Sequence, residues 1–180
     1  MILSKLPAAI IGLGKTGISI AKYFDKNKVD YHIYDTRSDL VISKKILKQI
    51  GLKKITLGPI SIKSINDHDN FIVSPGISLD HNFITKIKSV NKNIQTDIDL
   101  FDQEKRKNVL CITGSNGKTT VTLLLEHILN SLGKKAKAGG NIGLPALELL
   151  KTNHEYNILE LSSFQLEMTK KISCLASLIT

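Results

Sequence analysis

Short apolar runs alternate with segments of helical periodicity along the whole chain, and Gly, Pro or Asp residues punctuate most of the joins. Ala8-Ala9-Ile10-Ile11 predicts a strand that runs into Gly12-Leu13-Gly14-Lys15-Thr16-Gly17. A helix with Ile18, Ala21 and Phe24 turned inward follows, then a strand from Val29 to Tyr34 that ends at Asp35. The alternation continues with a helix over about 39–49 stopped by Gly51, and a short strand over 54–57. Next come a strand over 71–73 ending in Ser74-Pro75-Gly76, a helix from about Asp80 to Ser89, and a strand near Ile94. Residues 97–107 are charged and polar and read as a boundary. A second series then begins. Val109-Leu110-Cys111-Ile112 predicts a strand, and Val121, Leu124, Leu125, Ile128 and Leu132 share one face of a helix closed by Gly133. A strand over 134–138 follows, then a helix with Pro145 in its first turn that reaches Leu150, and a strand over 156–161. Ser162 and Gln165 fit a capping box, and a last strand covers 174–180. Strands that alternate with helices in this way predict an α/β chain with parallel sheets, one over residues 1–95 and a second over 96–180.

Composition narrows the function classes. Apolar residues make up 42% of the 180 and charged residues 23%, as in an ordinary globular protein. The net charge of +9 raises nucleic-acid binding, but the lysines are scattered and arginine occurs only at Arg37 and Arg106. Bidentate reading of bases and phosphates favours arginine, so the lysines read as solvated helix faces that draw anionic substrates, and no nucleic-acid partner is expected. Cys111 and Cys174 both fall in strands expected to be buried, where they act as small core residues. No disulfide or cysteine metal site is expected. No run approaches membrane-spanning length, and residues 1–11 lack the apolar stretch of a signal peptide. A cytoplasmic protein with no membrane partner is expected.

The chemistry concentrates at Gly114-Ser115-Asn116-Gly117-Lys118-Thr119-Thr120. Strand, glycine-bearing turn, Lys-Thr and helix is the arrangement that cradles a nucleoside triphosphate. Lys118 would meet the terminal phosphates and the Thr119 hydroxyl would meet Mg²⁺. The motif is shorter than the usual P-loop, because Ile112 stands five positions before Gly117 where a glycine is usual. Glu160 ends an apolar strand near this loop in the series and is either an Mg²⁺ ligand or a solvated strand end. The earlier Gly12–Gly17 turn, with Asp35 closing the next strand, is a dinucleotide fingerprint; it implies a diphosphate-bearing ligand or a plain packing turn. Ser74-Pro75-Gly76 sits at a third strand end and is either part of that crevice or an ordinary turn. The five histidines, His32, His68, His81, His127 and His154, fall in no motif.

Together the stretches GLGKTG (12–17), YDTR (34–37), SPGI (74–77), ITGSNGKTT (112–120), GGNIGLPAL (139–147) and ELSSFQLE (160–167) resemble the Mur ligases. Within that family the last two resemble the D-glutamate-adding type. The resemblance implies a Rossmann-like, parallel-sheet UDP-binding domain followed by an incomplete P-loop α/β ATPase domain. It also implies ATP and Mg²⁺ as cofactors, with UDP-N-acetylmuramoyl-L-alanine and D-glutamate as substrates joined through an acyl phosphate. By that resemblance Gly14, Lys15 and Thr16 face the diphosphate, although position 15 is often apolar in relatives. Asp35, Thr36 and Arg37 contact the uracil and its surroundings, and Ser74, Pro75 and Gly76 line the pocket. Gly114 to Thr120 hold ATP, Thr119 and Glu160 serve the metal, and Lys118 and Glu160 are the catalytic pair. Asn141 and Ser163 meet the muramoyl-alanine end of the substrate or the adjacent metal site. Family members are more than twice this long. The resemblance therefore implies that this chain does not complete ligation alone, whether as a remnant or as half of an enzyme finished by a separately encoded C-terminal portion. An NAD-dependent oxidoreductase is the competing expectation from the fingerprint alone.

Overall fold

The structure is a computed structural model and describes residues 6–51, 54–61, 63–77, 82–90 and 92–180. It divides into two compact units, residues 1–96 and 97–180. In the first unit five parallel strands are β1 (Ala8–Ile11), β2 (Tyr31–Asp35), β3 (Ile55–Leu57), β4 (Asn70–Val73) and β5 (Asn93–Gln95). Their order is β3-β2-β1-β4-β5. The chain moves outward from β1 in one direction and returns to its other side at β4, so the carboxyl ends of β1 and β4 flank a topological switch point. Both faces of β1 are buried, which is why it reads as an unbroken apolar run rather than an alternation. The helices are α1 (Lys15–Lys26), α2 (Lys44–Ile50), α3 (Lys63–Asn66) and α4 (Asn82–Ser89). The expected start of the last at Asp80, and His81, lie outside the described residues.

The second unit has α5 (Asp97–Gln103), β6 (Val109–Thr113), α6 (Lys118–Ser131), β7 (Ala136–Gly140), a 3₁₀ segment (Ala146–Lys151), β8 (Tyr156–Glu160), α7 (Ser163–Met168) and β9 (Ala176–Ile179). Its four parallel strands run in the order β7-β8-β6-β9. Central β6 thus delivers the glycine turn, and β8 beside it delivers Glu160.

Several sequence expectations shift. Residues 97–103 are a helix with Ile98, Leu100 and Phe101 buried, where the charge pattern suggested a polar boundary. The inward face of α6 is Val121, Leu125 and Leu129, while Leu124, Ile128 and Leu132 are exposed. A helix periodicity of 3.6 fits either stripe, and the sheet beneath decides between them. In α1 it is Ser19 and Ile20 that join Ala21 and Phe24 in the interior, with Ile18 half-buried. Ser43 caps α2, which begins later than expected, by accepting from the Ile46 N–H at 3.4 Å. Cys174 precedes β9 and is exposed, whereas Cys111 on β6 is buried and its thiol is pushed up to about 12, chiefly by that burial. Every residue of β9 is exposed, contrary to the buried strand expected there. Arg106 lies in the basic triplet Lys105-Arg106-Lys107, and its guanidinium donates to Leu150 O at 3.0 Å, a structural use of the charge.

Candidate functional site

In the first unit the strand ends of β1, β2 and β4 carry the Gly12–Gly17 turn, Asp35 and Ser74. The Gly12 N–H donates to Tyr34 O at 2.7 Å, and the Ser74 N–H donates to Ile11 O at 3.0 Å, which ties the three ends together. Gly17 packs so tightly on the turn that a Cβ there would lie 1.9 Å from the Gly12 carbonyl oxygen. Gly14 caps α1 without a side-chain bond, so the helix's first N–H groups keep no side-chain acceptor from the cap, and no acidic residue occupies the first turn. Lys15 is exposed at this terminus and Thr16 is half-buried. Such a helix start is suited to an anion. Beside it, Thr36 is half-buried, and Pro75 and Gly76 form the turn after β4.

Asp35 is buried and fully engaged. Its Oδ2 accepts the Leu13 N–H at 2.7 Å and Arg37 Nη2 at 2.8 Å; its Oδ1 accepts Arg37 Nε at 2.8 Å and the Arg37 N–H at 3.1 Å. Four donors match the roughly four lone-pair directions of a carboxylate. The Arg37 fork, aided by the two backbone N–H groups, holds the carboxyl down to about 2 against the opposing effect of burial. A dinucleotide fold needs this acid open for ribose hydroxyls. Here Arg37 covers it, with its own side chain 55% exposed, so the residue offered to a ligand is the guanidinium.

The second unit assembles around Glu160, which is 2% exposed. Its Oε2 accepts the Thr119 hydroxyl at 2.8 Å and its Oε1 accepts the Asn141 amide at 3.0 Å. The Asn141 N–H also donates to the Glu160 carbonyl at 2.8 Å. Three separate stretches of sequence therefore meet at one carboxylate. Gly140 makes the meeting possible: its φ is +98°, and a Cβ there would lie 2.4 Å from Glu160 O. Gly117, at φ +78°, places Lys118 and Thr119 in the first turn of α6. The Lys118 ammonium rests on the carbonyls of Gly114 and Ser115 at 2.7 and 3.2 Å. Ser115 and Asn116 are exposed on the loop, and Thr120 is exposed on the helix that follows. Ser163, the first residue of α7, is exposed; Ser162 before it closes the capping box with Gln165.

The donor set at Glu160 fits a hard divalent cation. A buried carboxylate and a threonine hydroxyl are oxygen ligands, both current partners are neutral donors, and Mg²⁺ commonly takes only one or two protein groups plus phosphate oxygens. Among the described residues no cluster of three or more His, Cys, Asp or Glu side chains could hold a metal by itself. Solvated strand end, one of the two sequence readings of Glu160, does not describe this buried group. Asn141 and Ser163 are marked in the sequence only by the family resemblance, and the structure brings Asn141 directly onto Glu160.

Two domain models match the chain: "Mur ligase MurD-like, N-terminal domain" over residues 7–96 and "Mur ligase middle domain" over residues 112–178. The chain belongs to the Mur ligase family, with a MurD-like N-terminal part followed by middle-domain sequence. It is 37% identical over 170 residues to the UDP-N-acetylmuramoylalanine–D-glutamate ligase of Pasteurella multocida, covering 94% of this chain and 38% of that relative. It is 44% identical over 172 residues to the enzyme of the same name from Rickettsia prowazekii, covering 94% of this chain and 37% of that relative. A solved pseudomurein peptide ligase type C from Methanothermus fervidus aligns at 22% identity and a TM-score of 0.49, over 97% of this chain and 38% of that one. The chain thus spans less than two-fifths of the length of these relatives.

Proposed function

We propose that this chain is the substrate- and nucleotide-binding portion of an ATP-dependent amide ligase that adds D-glutamate to UDP-N-acetylmuramoyl-L-alanine in the cytoplasm. The observation that carries the reading is the convergence of Thr119, Asn141 and Glu160 at the foot of a glycine turn that also presents Lys118. Residues 1–95 form the UDP-sugar domain in this reading. Gly14, Lys15 and Thr16 face the diphosphate, Thr36 and Arg37 the base, and Ser74, Pro75 and Gly76 the wall. Asp35 acts by holding Arg37 rather than by meeting ligand itself. Residues 96–180 form the ATP domain, whose Gly114–Thr120 loop takes the phosphates.

Thr119 and Glu160 would hold Mg²⁺, which when bound neutralises charge on the phosphates. The protein's own part is positioning and electrostatics: Lys118 leaves two backbone carbonyls for the terminal phosphate, and Asn141 and Ser163 orient the alanine carboxylate that attacks it. ADP leaves as the acyl phosphate forms, and the D-glutamate amine then displaces inorganic phosphate from it, losing a proton to give the amide. The relatives extend far beyond the matched region, and we expect these 180 residues to give no ligated product without that remainder.

Calorimetric titration tests the reading. The chain is expected to bind UDP-N-acetylmuramoyl-L-alanine and not NAD, and to bind ATP with Mg²⁺. Lys118→Ala is expected to weaken ATP about 10- to 100-fold, the worth of one or two hydrogen bonds to a charged group, with the melting temperature unchanged. Saturable NAD binding, or ATP affinity indifferent to Lys118, sinks it.

A further inference from the structure

Among the described residues, β7 has β8 as its one strand neighbour and leaves its other side without a strand. The N–H groups on that outer side are nevertheless taken. The Ala136 N–H donates to Asn130 Oδ1 at 3.1 Å, the Ala138 N–H to Glu126 Oε1 at 3.2 Å, and the Gly140 N–H to Leu144 O at 2.7 Å. Asn130 Nδ2 also donates to Ala136 O at 3.1 Å, so this side chain pairs with both backbone groups of one residue, as a neighbouring strand would. Glu126 Oε1 takes the Lys137 ammonium as well, at 2.9 Å. Both side chains come from α6 and lie one helical turn apart, on one face. Together they cover the edge of the sheet.

Small residues let the helix lie this close. Ala136 and Ala138 pack in a buried cluster with Ile112 and Ile158, against Val121, Leu125 and Leu129 of α6. The helix that grips β7 is the one that opens with Lys118 and Thr119. The strand it grips ends in Gly139 and Gly140 and passes directly to Asn141. Glycines bring no side chains to lock the pairing with β8, and a Cβ at Gly139 would lie 2.8 Å from Leu144 O. Three links therefore close a triangle of elements. Thr119 joins α6 to Glu160, Asn141 joins the end of β7 to the same carboxylate, and Glu126 with Asn130 joins β7 back to α6.

We propose that Glu126 and Asn130 are positioning residues of the nucleotide and metal site. They hold β7 to α6, so that Asn141 meets Glu160 in the place set by the helix that presents Lys118 and Thr119. The proposal rests on the nucleotide-binding reading above. Neither residue touches a ligand; both act through the path of β7. Water could satisfy the outward N–H groups of an edge strand. Only acceptors on α6 also tie the place of that strand to the helix.

A double-mutant cycle on the 180-residue chain tests this, read by titration of ATP with and without Mg²⁺. Asn141→Ala is expected to weaken the Mg²⁺-dependent part of ATP binding, through its contact with Glu160. Glu126→Ala is expected to weaken that same part about three- to tenfold, the worth of one ordinary hydrogen bond. In the Asn141→Ala background the same change is expected to cost less than about twofold, because the group it positions is gone. Glu126→Gln keeps an oxygen for the Ala138 N–H and is expected to recover most of the lost affinity. The Asn141 side-chain amide signals in nuclear magnetic resonance are expected to shift in Glu126→Ala and to return in Glu126→Gln. Should Glu126→Ala fail to fold, Asn130→Asp carries the same cycle, since it keeps the acceptor for the Ala136 N–H and loses the donor to Ala136 O. An equal loss in both backgrounds makes the pair mere stabilisers of the fold and overturns the proposal alone. Full Mg²⁺-dependent affinity in Glu126→Ala or in Asn141→Ala does the same. Failure of the wild-type chain to bind ATP overturns the nucleotide reading and this proposal with it.

Discussion

Asp35 shows how one side chain can hold a turn and a neighbouring side chain at once. Its carboxylate pins the Leu13 amide of the glycine turn after β1 and aims Arg37 outward. Because its folded value lies near 2 against an ordinary 3.8, it contributes stability that is fully present above about pH 4 and disappears as pH falls through about 2. Asp35→Asn is therefore expected to lower the melting temperature at neutral pH, with the gap from wild type closing between pH 4 and pH 2 in acid-dependent thermal melts. A gap that stays constant over that interval would show that the charge is not what matters. The sequence marked Asp35 by its place at a strand end. It could not show that Arg37, two residues on, folds back on it, since that depends on the backbone path after β2.

At the scale of the element, β8 and β7 depend on each other at their ends. Gly140→Ala places a methyl 2.4 Å from Glu160 O in a backbone conformation that alanine resists, so β7 must shift against β8. A loss of about 2 kcal/mol or more is expected from the combined strain. The Thr119–Glu160–Asn141 junction should loosen with it, seen as a lower melting temperature together with weaker Mg²⁺-dependent ATP binding. Normal melting and normal binding would mean that the strand ends can part freely. Element positions were largely legible in the sequence where a glycine turn or an apolar run declared them, as for β1, β6, β8 and the Ser162 cap. They were obscure where burial is carried by a mixed pattern. In Asp97-Ile98-Asp99-Leu100-Phe101 the acids look like surface, yet both are buried, and Asp99 accepts the Lys170 N–H from beyond α7. No local pattern announces a partner some seventy residues away.

On the scale of the whole molecule, the second unit of these 180 residues has large apolar side chains on its surface. Leu175 is 66% exposed beside the open edge of β9, and Leu132 is 71% exposed at the end of α6. In a polypeptide of these 180 residues alone, β9 is an edge of its sheet, and an edge with such residues near it invites association. The isolated chain is expected to self-associate with rising concentration in sedimentation runs, and Leu175→Lys with Leu132→Lys should reduce this without lowering the melting temperature. Monomeric behaviour of the wild-type chain at high concentration would refute the expectation. The net charge of +9 opposes association between copies, so the effect should grow with added salt.

The resting posture of Lys118 has a further consequence for which anions can compete for the loop. Its ammonium is not waiting in solvent; it is already solvated by two carbonyls of the turn that it serves. An incoming anion must therefore replace existing contacts rather than simply add new ones, and a small monovalent ion has little to offer in exchange. A polyphosphate brings several oxygens to the same turn and can repay every displaced contact. The lysine's own contacts thus set a threshold at this turn that favours a polyphosphate over a small anion.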